Sequence, residues 1–132
     1  MRSPLTGIID GLSTHFSPSE SLDVFKGICI SRSFELMAKY VFDEKLTRCP
    51  TYLSLGQESI AAALSVSYPK AKIFAQHRAH DLYLSYGGNI QALIDELLHL
   101  PTGCAKGMGG SASIHSPEIG MFGHSGLMGD QI

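Results

Sequence analysis

Three groups of residues in this chain have the types and spacing to do chemistry. The first is Gln76-His77-Arg78-Ala79-His80. Arg78 offers a planar, permanently charged fork that matches phosphate oxygens, and the same fork serves equally in a structural ion pair. His77 and His80 stand three apart and could share a helix face as zinc ligands, the basis of a zinc hydrolase reading. No Asp, Glu or Cys joins them at ligand spacing. The second group is glycine. Eight of the fourteen glycines fall between Gly103 and Gln131, and each costs about 0.5 to 1 kcal/mol inside a helix or strand. That density shapes the backbone to meet something, and a ligand is the first expectation. Gly107, Gly109 and Gly110 suggest a phosphate cradle only loosely, because neither of the two standard glycine phosphate motifs is present and Lys106 precedes the glycines; a glycine-rich turn packing against a neighbour is the commoner explanation. The third group is His115 and His124, loop histidines of the kind that meet substrate or a developing negative charge, or that are simply exposed. Ser111 and Ser113 have no neighbouring base and acid and read as turn residues. Asp130 reads as a cap or turn residue.

These residues need elements to hold them. Ser17-Pro18-Ser19-Glu20 has a capping serine, proline at the first helical position and glutamate three residues after the cap. A long amphipathic helix is expected from there to about Lys45, with Leu22, Phe25, Cys29, Leu36 and Tyr40 on its apolar face. Gly56-Gln57-Glu58 opens a second helix to about Val66, whose small Ala61, Ala62 and Ala63 let it lie close to a neighbouring backbone and be buried. Lys72 to Ala75 is expected to be a short strand. It hands over to a helix from Asp81 to Tyr86, stopped by Gly87-Gly88, and the polar cluster at 76–80 lies at that junction, where helical N–H groups favour anions. Asn89 caps a further helix with Leu93, Ile94, Leu97 and Leu98 as its apolar face.

Composition bounds the reading. The chain has 132 residues, 44% of them hydrophobic and 17% charged, with a net charge of -2, which suits one domain with a core. The weak negative balance argues against a nucleic-acid or anionic-membrane surface. No apolar run approaches the 18 or so residues of a membrane span. Cys29, Cys49 and Cys104 are odd in number and widely spaced, which suits reduced thiols and a cytoplasmic location. Residues 1–16 are expected to form an N-terminal arm and residues 17–132 part of an α/β domain. The chain stops at Ile132 where such a domain would go on with another helix and strand, so a further segment or a second polypeptide is expected to complete the sheet.

Taken in order, Leu55-Gly56-Gln57-Glu58-Ser59, His77-Arg78-Ala79-His80, Thr102 to Ser111 (Thr-Gly-Cys-Ala-Lys-Gly-Met-Gly-Gly-Ser) and Gly123 to Gln131 (Gly-His-Ser-Gly-Leu-Met-Gly-Asp-Gln) resemble the α subunit of thiamine-diphosphate-dependent 2-oxo acid dehydrogenases, the group of the pyruvate, branched-chain and acetoin dehydrogenase first components. The resemblance covers residues 20–132 and implies the N-terminal half of a thiamine-diphosphate-binding α/β domain, helix-rich, with a glycine-rich loop and an incomplete sheet. It implies that His77 and Arg78 contact the cofactor diphosphate and that Gly126 and Met128 present backbone groups to its pyrimidine ring. His115 and His124 become candidate catalytic loop residues.

Two positions depart from the family pattern in kind. His77 stands where the family usually has tyrosine, and Tyr52 stands where many members have an active-site histidine. A second family histidine is missing as well: where members often read Gly-Gly-Ser-Met-His, this chain reads Gly110-Ser111-Ala112-Ser113-Ile114. The family's Mg²⁺ ligands lie beyond the last motif, so they are expected outside this chain, and the activating glutamate comes from a β subunit. The implied reaction is attack of the thiazolium on a 2-oxo acid, loss of CO₂ and acyl transfer to a lipoyl acyltransferase, with thiamine diphosphate as the electron sink. The alternative is a non-catalytic assembly or regulatory module derived from the same family.

Overall fold

The computed structural model describes residues 16–123. Four α-helices carry the described chain: α1 (Pro18–Asp43), α2 (Glu58–Ser67), α3 (His80–Ser85) and α4 (Ile90–Leu97), followed by a 3-10 turn, Pro117–Ile119. The capping box at the start of α1 forms as its sequence requires. Ser17 Oγ accepts from the Glu20 N–H while the Glu20 carboxylate accepts from the Ser17 N–H at 2.7 Å. At α4, Asn89 Oδ1 accepts from the Ala92 N–H at 3.0 Å.

The buried face of α1 is not the one that its apolar spacing suggests. Leu22, Phe25, Leu36 and Tyr40 are all more than half exposed, and Cys29 is exposed. The buried residues are Ser31, Phe34, Glu35 and Ala38, spaced as one helical stripe. Counting hydrophobics misses this face because half of it is polar. The face works because Glu35 finds a buried partner, and because small residues bring the helices together. A Cβ added at Gly27 of α1 would lie 3.1 Å from the Ala62 Cβ of α2. Ala61 and Ala62 are buried there, as expected of an alanine-rich helix, while Ile60 and Leu64 on the other side of α2 are exposed. Both α2 and α3 pack on α1, and on each other.

Around this helical layer the core gathers Phe34, Ala38, Cys49, Tyr83, Leu84, Leu93, Leu97, Ile114 and Met121. Leu93 and Leu97 are the inner half of the expected α4 face; Leu98 is exposed. The expected strand at Lys72 to Ala75 is reduced to a single parallel bridge between Ile73 and Met121. Its ladder bonds are Ile73 N–H to the Gly120 carbonyl at 2.8 Å and Phe122 N–H to the Ile73 carbonyl at 2.9 Å, with Ala75 N–H to the Gly123 carbonyl at 3.2 Å. Met121 also bridges antiparallel to Ser116. The described residues are thus helix-rich with isolated bridges in place of a sheet, compatible with part of a domain. A strand is maintained by its neighbours, and among the described residues Ile73 has one. Among the described residues no helix is long and apolar enough to cross a membrane.

The Gly56-Gln57-Glu58 motif has a structural role. Arg32 of α1 donates from Nε and Nη2 to the two Glu58 oxygens at 2.5 and 3.0 Å, and the Gly56 N–H donates to Glu58 Oε2 at 3.0 Å. The fork clamps the entry of α2 onto α1. The hydrogen bonds from Arg32 hold the Glu58 carboxyl down at about 2, below its ordinary 4.5. A depressed carboxyl stabilises the fold fully above its unfolded value and loses that contribution as pH falls toward its folded one. The urea midpoint of the wild type should therefore fall as pH drops from about 4.5 toward 2, and Arg32→Met should flatten this acid limb. In the core, Leu93→Ala should cost about 2 to 5 kcal/mol in denaturant unfolding, whereas Leu98→Ala, at an exposed position, should cost far less.

Candidate functional site

The chain leaves the Ile73 bridge and reaches α3 through Gln76, His77 and Arg78. His77 is half-buried and Arg78 exposed. Among the described residues Arg78 forms no ion pair, so the structural reading of its charge finds no partner there. The ring of Tyr52 meets His77 edge-on, with centroids 4.8 Å apart and planes at 69°. The tyrosine and the histidine that depart from the family pattern therefore touch. The start of α3 is less available to an anion than the junction suggests, because the Asp81 carboxylate accepts from the Leu82 N–H at 2.8 Å. Burial pushes the Asp81 carboxyl above its ordinary value, and the nearby Glu35 adds to the rise.

His80 does not join His77 in a metal pair. It is 0% exposed, with Nδ1 3.0 Å from Glu35 Oε1 and Nε2 2.8 Å from Ser111 Oγ. Ser111 Oγ in turn accepts from the Tyr52 N–H at 2.8 Å. The backbone N–H can only donate, so the arrangement that gives each group a complementary partner is directional. Tyr52 N–H donates to Ser111, the Ser111 hydroxyl donates to His80 Nε2, and His80 Nδ1–H donates to Glu35. Both imidazole nitrogens are spent, which removes the zinc hydrolase reading. The sequence places no base and acid beside Ser111, yet the fold supplies both. Acid, imidazole and hydroxyl stand in the order of a hydrolase triad, but Glu35, His80 and Ser111 are each 0% exposed, so no substrate reaches the hydroxyl. The set is a brace between α1, α3 and the glycine stretch.

The glycine stretch itself meets a carboxylate of its own chain. Glu96, at the end of α4 and fully buried, accepts from the N–H groups of Ala105 and Gly107 at 2.7 and 2.9 Å through Oε2. Through Oε1 it accepts from Gly109 and Gly110 at 2.8 and 2.9 Å. Successive backbone N–H groups folded into a concavity form an anion nest, and here the anion is internal. Three glycines of 105–110 are obligatory for geometric reasons, a Cβ at Gly109 falling 2.0 Å from the Ser113 carbonyl oxygen. Gly107 has φ +75° and Gly110 φ +55°, and a Cβ at Gly110 would fall 2.8 Å from the Cys49 sulfur. Over 105–110 the stretch is a glycine-rich turn packed on a neighbour, as the commoner of the two readings of Gly107, Gly109 and Gly110 expects: Glu96 occupies the place that a ligand would take. No glycine motif announces it, because the partner lies on the preceding helix.

His115 lines an open cleft of about 460 Å³ with Cys104, Lys106, Met108, Ser113 and Phe122. This cleft does not include His77 or Arg78, so the structure does not bring His115 together with them in one cavity. Burial pushes the Cys104 thiol up to about 11, with the charge of Glu96 adding, so at neutral pH it stands there as an uncharged thiol. His124, Gly126, Met128 and Asp130 lie outside the described residues, as does nearly all of the expected N-terminal arm.

Comparison with known proteins bears on this geometry. No family model matches the chain. Curated relatives do. The pyruvate dehydrogenase E1 component subunit alpha-1, mitochondrial, of Arabidopsis thaliana is 31% identical over 121 residues, 91% of this chain and 31% of that protein. The pyruvate dehydrogenase E1 component subunit alpha, mitochondrial, of Pisum sativum is 32% identical over 88% of this chain, and that of Saccharomyces cerevisiae 30% over 92%. The chain spans about a third of the length of these relatives. Their mitochondrial names overturn the expectation of a cytoplasmic protein. Free cysteines separate reducing from oxidising compartments and do not distinguish one reducing compartment from another. At about 30% identity over about nine-tenths of its length, the chain is similar to pyruvate dehydrogenase E1 α subunits, which bears out its resemblance to the α subunits of the thiamine-diphosphate-dependent 2-oxo acid dehydrogenases.

Proposed function

We propose that this chain is part of a mitochondrial thiamine-diphosphate-dependent 2-oxo acid dehydrogenase α subunit, and that His77 and Arg78 hold the cofactor diphosphate. The observation that carries the reading is the exposed Arg78, free of an ion pair among the described residues, beside a braced His77–Tyr52 pair. A guanidinium fork with an adjacent ring N–H is a donor set that fits phosphate oxygens. Thiamine diphosphate, when bound, supplies the electron sink for decarboxylation of a 2-oxo acid. Mg²⁺, which prefers oxygen ligands and bridges carboxylates to phosphates, takes its ligands from segments outside this chain. The role of this chain is to bind and orient. Arg78 neutralises diphosphate charge, His77 donates to an oxygen, and Gly126 and Met128 offer backbone groups to the pyrimidine. His115 and His124 serve as loop residues toward substrate.

The partners in this reading are a β subunit, which contributes the activating glutamate, a segment or chain that completes the α domain, and a lipoyl acyltransferase that accepts the acyl group. The regulatory alternative draws on the departures at Tyr52, His77 and Ser113, of which Tyr52 and His77 adjoin in the fold.

Arg78→Ala should weaken thiamine diphosphate binding by about 1 to 3 kcal/mol in the complex assembled with the β subunit and Mg²⁺, the range of a charge-assisted hydrogen bond. Calorimetry on that complex is the check. An unchanged affinity would remove Arg78 from the diphosphate site.

A further inference from the structure

Tyr52 lies outside any helix and is 40% exposed, yet its backbone N–H is bonded to the fully buried Ser111 hydroxyl 59 residues away. That hydroxyl is aligned by His80, and His80 by Glu35. Ser111 is itself pinned, its N–H donating to Cys49 Sγ at 3.2 Å, and Cys49 is three residues from Tyr52 on the same segment. The segment is further fixed where Thr47 Oγ1 donates to the Leu97 carbonyl at 2.7 Å and accepts from the Cys49 N–H at 3.0 Å. The free end of this construction is the Tyr52 ring, and what it touches is His77.

We propose that Ser111 is a positioning residue for His77: its hydroxyl, oriented by the buried His80–Glu35 pair, holds the Tyr52 backbone so that the phenol ring fixes the His77 imidazole beside Arg78. Ser111 touches neither ligand nor reacting atoms and acts through Tyr52. The physical ground is entropic. A half-buried imidazole on a loop samples several rotamers, and an edge-on ring contact favours one of them. Ordering a donor before its ligand arrives removes part of the cost of binding. This deepens the diphosphate reading of His77 and rests on it for its functional meaning, but the contact chain is testable without any cofactor.

The test is NMR of the 132-residue chain with labelled histidine rings, the His77 signal being assigned from His77→Gln. Tyr52→Leu should move the His77 ring signals through loss of the aromatic ring current, and Ser111→Ala should move them in the same direction. Ser113→Ala, a hydroxyl two residues along that does not reach Tyr52, should leave them in place. Should Ser111→Ala move the His80 signal and leave His77 where the wild type has it, the positioning role is overturned; a Tyr52→Leu spectrum with His77 unmoved overturns it too. If Ser111→Ala fails to fold, hydrogen exchange of the wild-type Tyr52 amide decides. Protection of that amide supports the bond to Ser111, and exchange at the rate of an open loop overturns it. Failure of the diphosphate reading is seen separately, as an Arg78→Ala variant that binds thiamine diphosphate like the wild type.

Discussion

The interaction on which the rest of the site depends is the Glu96 carboxylate with its four backbone donors. A glycine-rich stretch is expensive to order, since each glycine loses more backbone freedom than any other residue. An isolated buried carboxylate is also costly. Each offsets the other: the charge gathers donors that would otherwise point nowhere, and the donors satisfy a charge that could not be buried alone. The consequence reaches past 105–110. With the loop closed on Glu96, Ser111 is delivered to His80 and Cys49, and the chain is carried on to Ile114 and Met121 in the core. It also occupies the backbone donors of 105–110 with an internal anion, so that the proposed diphosphate contact rests on Arg78 and His77 rather than on this stretch.

A second constraint comes from α1. Its buried stripe is half polar. Glu35 orients His80 through Oε1, and Gly27 keeps the helix close to α2, while the buried Ser31 hydroxyl has no hydrogen-bond partner among the described residues. Arg32, one turn away from the stripe's centre, reaches across to Glu58. One helix thus carries the core contact of Phe34 and Ala38, the brace to the glycine stretch and the clamp on α2. The apolar residues on its other side, such as Phe25 and Tyr40, are left facing outward.

Local chemistry was legible in the sequence and long-range pairing was not. The caps at Ser17 and Asn89 are side chains acting on backbone three residues away, so the pattern that predicts them is contained in four residues. The close approach of α2 was legible from its alanines, and the junction holding His77 and Arg78 from its place before a helix. Glu35 with His80 spans 45 residues and Ser111 with Tyr52 spans 59, and no periodicity encodes such pairings. Hydrophobic counting chose the outer face of α1 because it scores Glu35 and Ser31 as surface residues. The strand expected at 72–75 shrinks to one bridge among the described residues for the opposite reason: its composition is right, but a strand exists only with neighbours. Ser111 lies in a turn, as its neighbours suggest, but the imidazole and carboxylate aligned with it come from other elements and leave no local signal. Family resemblance supplied roles for His77, Arg78, Gly126 and Met128 that composition and spacing do not.

The most direct test compares two short stretches in one experiment: hydrogen–deuterium exchange by mass spectrometry on the chain assembled with the β subunit proposed for it, with and without thiamine diphosphate and Mg²⁺. The structure predicts that the amides of Ala105, Gly107, Gly109 and Gly110 are already protected without cofactor, because Glu96 holds them, and do not change when it is added. The segment from Gln76 to Arg78 should gain protection. Amides at 105–110 that exchange freely until the cofactor is added, with no change at Gln76 to Arg78, would contradict this account and return the phosphate to the glycine stretch.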